Sequence, residues 1–424
     1  MKPSTQPASD PQPKIAIANH SPSPTDSDER RLKILKQLMA GTALLLFLAT
    51  WKLWTPQTEF PQIPFFEFLI HAPGWIDWIA IAFGVTGLVG CLIAGQADRK
   101  PLWLFAASAT ILILLNQHRL QPWAYQFVVF AIIIASTPPK TALFWIRWIV
   151  ISIYFYSAIS KFDYQFVMTV GDGILTSLTN TLGLDARTWP PEIRNLVTIG
   201  LPLIELLVAV GLIFPRLRKT AVVTACLMHV SIFLTLLFAG HSLGVLIWNL
   251  HFIVQTPLLF WNRKSLFKNT QSPSRSFPLR WLGPTLAIGV LAFPLTQPLG
   301  ICDHWPAWQV YAPRTSRARV EYHKSSANSP AELSSPVVWS NETLGVPVYP
   351  QARFQFAVSM ASIAKHKDFR IFNIEVSSES NRLTGERSIQ SLRGDQIKMH
   401  AEKYWLNLKP RSILSQPDPL QNPF

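Results

Sequence analysis

The chain has 424 residues, 49% of them hydrophobic and only 15% charged, with a mean hydropathy of +0.22. Soluble domains carry about 25% charged residues, and 16 Trp with 26 Phe are more than one ordinary core hides. An ordinary soluble domain is excluded, and a polytopic membrane protein is the expectation. The formal charge of +14 would raise nucleic acid as a partner of a soluble protein. Here Lys and Arg gather in particular loops, as membrane topology requires. No nucleic acid is expected, and the lipid bilayer takes its place.

Residues 1–29 are rich in Pro, Ser and Asp and nearly lack large apolar residues, which predicts a disordered cytoplasmic tail. The first apolar segment starts too late for a cleavable signal peptide, so 37–54 reads as a retained signal anchor. Further helices are expected at 74–94, 101–116, 123–137, 141–160, 196–214, 220–239, 242–261 and 281–300. With a crossing needing about 20 apolar residues, the chain reads as an all-α polytopic membrane protein of about nine transmembrane helices. The helical domain covers 30–300. Cys91, Cys226 and Cys302 form no CxxC or paired framework, so neither a structural disulfide nor a metal site is expected.

Orientation follows from basic residues in short loops. Fifteen fall on one side, among them Arg30, Arg31, Arg99, Lys100, Arg216 and Arg263, against four on the other: Arg119, Lys161, Arg187 and Arg194. The N-terminus is therefore expected in the cytoplasm of a bacterial inner-membrane protein. The last helix then delivers residues 301–424 outside.

That tail changes character. "WQVYA", "ARVEYH", "SPVVWS", "RFQFAVSM" and "FRIFNIEVSS" are β-branched and aromatic runs separated by turn formers, and read as strands. The stretch 385–408 reads as a helix. Residues 301–424 are thus expected to form a small extracytoplasmic α+β domain, rich in β-strand.

Ionisable groups inside a bilayer cost roughly 2.5–3.5 kcal/mol on insertion scales and usually face a cavity or a partner. Glu205 stands mid-helix in "LVTIGLPLIELLVAVGLIF", after Pro202, and His229 stands mid-helix in "TACLMHVSIFLTLL". Asn249 and His251, in "LIWNLHFIVQTP", lie two apart and face different ways; Asn249 is the better pocket candidate. Arg147 reads as snorkelling or structurally paired. The topology sets His118 and Arg119 of "NQHRLQPWAYQF", with Lys161 and Asp163 of "YFYSAISKFDYQF", at the outer mouth. Glu205, His229 and Asn249 lie deeper. For each residue a packed, hydrogen-bonded role competes with a functional one, and a shared cavity is what would separate the two.

In order along 110–262, "YFYSAISKFDYQFVMTVGDGILTSL", "PLIELLVAVGLIF", "RLRKTAVVTACLMHVSIF" and "GVLIWNLHF" resemble blocks of the horizontally transferred transmembrane (HTTM) family. That family includes the vitamin K-dependent gamma-carboxylases and is loosely DoxX-like in architecture. The resemblance implies Lys161 as the base that deprotonates a reduced quinone cofactor, with Asp163, Glu205, His229, Asn249, His118 and Arg119 about the pocket. A partly desolvated lysine has a lowered pKa and can accept a proton. Two other readings stand beside this one. A non-catalytic, DoxX-like accessory protein would serve a membrane redox or secretion partner. A transporter would use Glu205 and His229 as a proton relay, although no inverted repeat is visible.

Overall fold

The computed structural model describes residues 24–95, 98–261, 279–323, 332–365 and 371–413. The helical part comprises α1 (Pro24–Ala49), the short α2 (Trp51–Trp54), α3 (Trp75–Ile93), α4 (Lys100–Leu115), α5 (Pro122–Ser136) and α6 (Pro139–Lys161). It continues with α7 (Tyr164–Met168), α8 (Val170–Thr181), α9 (Pro191–Ile213), α10 (Arg218–Phe238), α11 (Leu243–Phe260) and α12 (Leu282–Ala292). Helix α12 runs on as a 3-10 helix over Phe293–Leu299.

Each helix expected over 37–300 has a counterpart, but they are not equivalent. Seven are long and apolar enough to cross a membrane, α12 counted with its extension; α4 and α5 are shorter. The chain is an integral membrane protein. Helix α5, 15 residues long, is buried along almost its whole length, from Trp123 through Phe127 and Phe130 to Ser136. At about 1.5 Å per residue it falls short of a hydrocarbon core of about 30 Å, and it serves as a central packing helix. Helices α3 and α4 approach closely at Gly87, where a Cβ would stand 2.7 Å from the Phe105 backbone N.

Helix α1 corrects the expectation of disorder over 1–29. Residues 1–23 lie outside the described residues, whereas 24–29 are helical. Pro24 opens the helix, where its fixed φ is already helical. Asp28 and Glu29 lie near the positive end of the helix dipole.

Past α12 come β1 (Arg317–His323), β2 (Glu332–Ser334), α13 (Pro336–Leu344), α14 (Ala352–Lys365), β3 (Ile371–Ser377), β4 (Ile389–Leu392) and α15 (Asp395–Ala401). The strands form one antiparallel sheet in the order β2-β1-β3-β4. Val320 pairs with Ile374 and Ile374 with Leu392, so these three share the face that packs on Phe356 and Ile397.

The β-rich expectation is corrected here: helices share this region with a small sheet. "ARVEYH" is a strand, as is the described part of "FRIFNIEVSS"; Phe369 and Arg370 lie outside the described residues. "WQVYA" forms turns, while "SPVVWS" and "RFQFAVSM" lie in α13 and α14. In α13 the Ser335 side chain caps the Val337 N–H and Pro336 occupies the first turn; capping and proline prevail over two β-branched valines. Helix α14 is buried on nearly every side because it is sandwiched, its polar Arg353, Gln355 and Ser359 included. Phe354, Ala357 and Val358 pack toward the helical core, and Phe356 packs under the sheet. Residues 385–408 hold β4 and the seven-residue α15 rather than one long helix.

The C-terminal segment straps this region to the helices. Arg411 N donates to Gln62 O at 2.8 Å and Ser412 N to Ile70 O at 2.9 Å. Gln117, in the turn between α4 and α5, donates to Asn407 O at 3.0 Å and accepts from Arg353 Nε at 3.1 Å.

Candidate functional site

Helices α6 to α11 line a cavity of about 350 Å³. Its walls are mainly apolar, with Ile153, Phe166, Leu201, Ile232 and Phe252 among them. A few polar side chains converge on it, the usual make-up of a small-molecule site. Tyr154, Ser157 and Lys161 come from one face of α6, Glu205 from α9, His229 from α10 and Asn249 from α11. Val310 and Tyr311, from the segment after α12, complete the wall.

Lys161 Nζ donates to Glu205 Oε2 at 2.7 Å and to Ser157 Oγ at 2.6 Å. The two side chains are 11% and 14% exposed, so the pair is largely enclosed by protein, where each group answers the other's charge. Pro202 interrupts the backbone bonding of α9 one turn before Glu205, as proline inside a membrane helix does.

Deeper in the wall runs a chain of hydrogen bonds whose direction can be assigned. Asn249 Nδ2 donates to Val245 O at 2.9 Å, so its Oδ1 faces His229 Nδ1, also at 2.9 Å, as an acceptor. His229 then carries a proton on Nδ1, and in the neutral imidazole Nε2 accepts from the Tyr154 hydroxyl at 2.9 Å. Tyr154 in turn accepts from Thr256 Oγ1 at 3.0 Å. Thr256, Tyr154, His229 and Asn249 therefore form one satisfied, uncharged chain between α11, α6 and α10. Phe252 stacks on the His229 ring at 4.9 Å and fixes its plane.

The structure thus brings Lys161, Glu205, His229 and Asn249 to one cavity and sends the other candidates elsewhere. Asp163 caps α7, accepting from Phe166 N at 2.8 Å; burial pushes its carboxyl above the ordinary value. Arg119 is fully buried and clasps Asp77 Oδ1 at 2.5 Å, where Arg411 holds the other oxygen. His118 lies between Phe60 and Phe354 with Nε2 2.9 Å from Pro347 O. Both 118 and 119 fasten the C-terminal region to the helices and do not line the cavity. His251 faces away, between Thr42 and Gln255, as its two-residue offset from Asn249 requires. Arg147 is buried and donates to Leu259 O at 2.7 Å, so it is structurally paired and does not snorkel. All four basic residues expected opposite the basic loops are ion-paired: Arg119 with Asp77, Lys161 with Glu205, Arg187 with Asp185 and Arg194 with Asp172.

Tyr154, Ser157 and Thr256 were not singled out from sequence. A signal for the first two existed: 154, 157 and 161 are spaced i, i+3, i+7 and share a helix face. Nothing in the sequence marked Tyr311.

A family model described as methylamine utilisation protein MauE matches residues 139–252. The matched segment begins at the first residue of α6 and contains Tyr154, Ser157, Lys161, Glu205, His229 and Asn249. No HTTM or gamma-carboxylase family model matches. The HTTM resemblance is therefore corrected, and the quinone-deprotonating role of Lys161 loses the resemblance that implied it. No curated protein and no solved structure matches the chain.

Proposed function

We propose that the protein is a non-catalytic accessory component of the membrane, serving a membrane-associated redox or secretion partner. The observation that carries this reading is the Lys161–Glu205 pair inside the segment matched by the MauE model. An ammonium bonded to a carboxylate and a hydroxyl is a poor base. The remaining polar wall is a closed, neutral chain of hydrogen bonds, which favours holding a shape over moving protons. The C-terminal sheet region is the surface for the partner, and the matched family's description makes a methylamine-utilisation system the first partner to examine.

Mild crosslinking in native membranes followed by purification should yield the chain with one protein in fixed ratio. Deleting the gene should lower that protein's abundance or maturation. A chain that purifies alone, and whose loss leaves the membrane proteome and methylamine utilisation unchanged, overturns the reading.

We further infer from the distribution of basic loops that the N-terminus is cytoplasmic and the C-terminal region lies across the membrane. Reporter fusions at residue 24 and residue 413 should report opposite compartments; the same compartment at both overturns this orientation.

A further inference from the structure

Two hydroxyls on the cavity wall are buried and have no hydrogen-bond partner among the described residues: Thr235 Oγ1 and the Tyr311 phenol. Thr235 is 2% exposed. A helical threonine usually bonds the carbonyl one turn back, as Thr86, Thr110, Thr179 and Thr198 do at 2.8, 2.7, 3.0 and 2.8 Å. Thr235 does not. Tyr311 as a residue is half-buried, but its hydroxyl is enclosed, and burial holds the phenol protonated by raising its pKa. Its backbone sits in the left-handed region at φ 61, as does Trp308 at φ 59, a conformation that bulky residues seldom adopt without tertiary enforcement. The enforcement is visible. His304 bonds Gln309, Gln309 bonds Gln297, and Asp303 is clasped by Arg353 and Tyr349. The segment is pinned on both sides of Trp308 so that Tyr311 is presented to the cavity.

Buried polar groups without partners are uncommon and require a reason. A ligand supplies one here. Lys161 has three N–H donors, two of them committed to Glu205 and Ser157. Its charge is already balanced and His229 is neutral, so the cavity offers no net charge to an ionic head group. Ile204 and Leu227 line the cavity and are also exposed on the outer surface of α9 and α10, which opens a lateral way in from lipid.

We propose that this cavity binds an uncharged, lipid-soluble molecule bearing carbonyl or hydroxyl oxygen, which enters between α9 and α10 and is held by Thr235, Tyr311 and the remaining N–H of Lys161. The proposal goes beyond the accessory role and needs no partner. Binding by the purified chain can fail while a partner is still captured, and the reverse.

The test is equilibrium binding of three labelled probes of equal chain length to the full chain in lipid nanodiscs, against empty discs. The probes are 2-undecanone, undecane and undecanoate. The ketone should bind saturably, at least tenfold tighter than either of the others. Thr235→Val and Tyr311→Phe should each weaken it about three- to tenfold, the worth of one neutral hydrogen bond, with the unliganded melting temperature unchanged. Ile232→Trp, which fills the cavity, should abolish binding. Equal uptake of ketone and undecane would reveal a plain acyl-chain void and overturn the proposal. So would tighter binding of undecanoate, or a Thr235→Val/Tyr311→Phe double variant that binds the ketone as well as wild type.

Discussion

Arg411 Nη2 lies 2.5 Å from Asp77 Oδ2, joining residues 334 positions apart, and neither side chain is exposed. Arg119 holds the other Asp77 oxygen and also donates to Leu53 O at 2.9 Å. Two arginines thus share one carboxylate, with backbone carbonyls and the Gln62 side chain taking further donors. Removing one partner of a buried charge cluster leaves the others uncompensated. Asp77→Asn should therefore cost about 3–5 kcal/mol, read as a fall in melting temperature with early release of the C-terminal region to protease. An unchanged melting temperature would show that the carbonyls alone carry both guanidinium groups.

The Lys161–Glu205 pair calls for a cycle. Lys161→Met alone strands a carboxylate among apolar helices and should cost about 3 kcal/mol, the low end for a buried pair because this one is slightly exposed. Adding Glu205→Leu should recover most of that loss. If the double variant is no more stable than the single one, the two charges are not coupled as the distance implies.

The directional chain at His229 predicts a smaller effect. Tyr154→Phe removes the donor to His229 Nε2 and the acceptor of Thr256. Interhelical hydrogen bonds in membranes average only about 0.6 kcal/mol, but a stranded buried acceptor costs about 1–3. A loss of about 1–2 kcal/mol is expected, and the His229 side-chain nitrogen resonances should show the Nδ1–H tautomer in wild type. A dominant Nε2–H signal would refute the assigned direction.

His118 supplies a pH dependence. Burial, only partly offset by its bond to Pro347 O and reinforced by the neighbouring Arg119 charge, lowers its pKa from 6.5 to about 4. Its Nδ1 faces no acceptor among the described residues, so a second ring proton would be stranded between Phe60 and Phe354. The unfolded chain takes up that proton near pH 6.5 and the folded chain only near 4. Stability is therefore complete above about pH 6.5, declines as pH falls through that window, and levels off below it. At about 1.4 kcal/mol per pH unit, the full loss is about 3 kcal/mol. Melting temperatures from pH 7.5 to 4.5 should fall in wild type and fall less in His118→Phe; parallel curves would contradict this.

Much of the helical architecture was legible because the bilayer enforces long apolar runs. The cavity's charged and imidazole residues were legible because such groups are costly in lipid and so must converge on something. Tyr154 escaped notice because "YFY" shows three aromatic residues and not which hydroxyl points inward. Asp77 stands in the first turn of α3, where nothing nearby in sequence marks it; its partners come from a distant turn and from the far end of the chain. Helix α14 was misread because a helix buried on two sides loses the one-sided periodicity that identifies it. In each miss the deciding contact was made by residues remote in sequence.

Gly385 connects the two parts of the molecule at a point sensitive to a single methyl. It holds a φ of +74, and a Cβ there would stand 2.3 Å from Tyr164 Cδ1, beside the bond from Tyr164 N to Arg382 O at 2.8 Å. Gly385→Ala should separate this turn from α7, seen as faster amide exchange at Tyr164 with the helices otherwise intact. Unchanged exchange would mean that the turn rotates to accept the methyl.

The cavity wall has two origins. Most of its polar residues lie within 139–252, but Val310 and Tyr311 arrive from a pinned segment outside that stretch. The helical cup and its stopper are therefore separate stretches of the chain. What such a cup admits can be rewritten by exchanging a few residues after the last helix, while the helices, constrained by lipid on one side and by each other on the other, stay as they are.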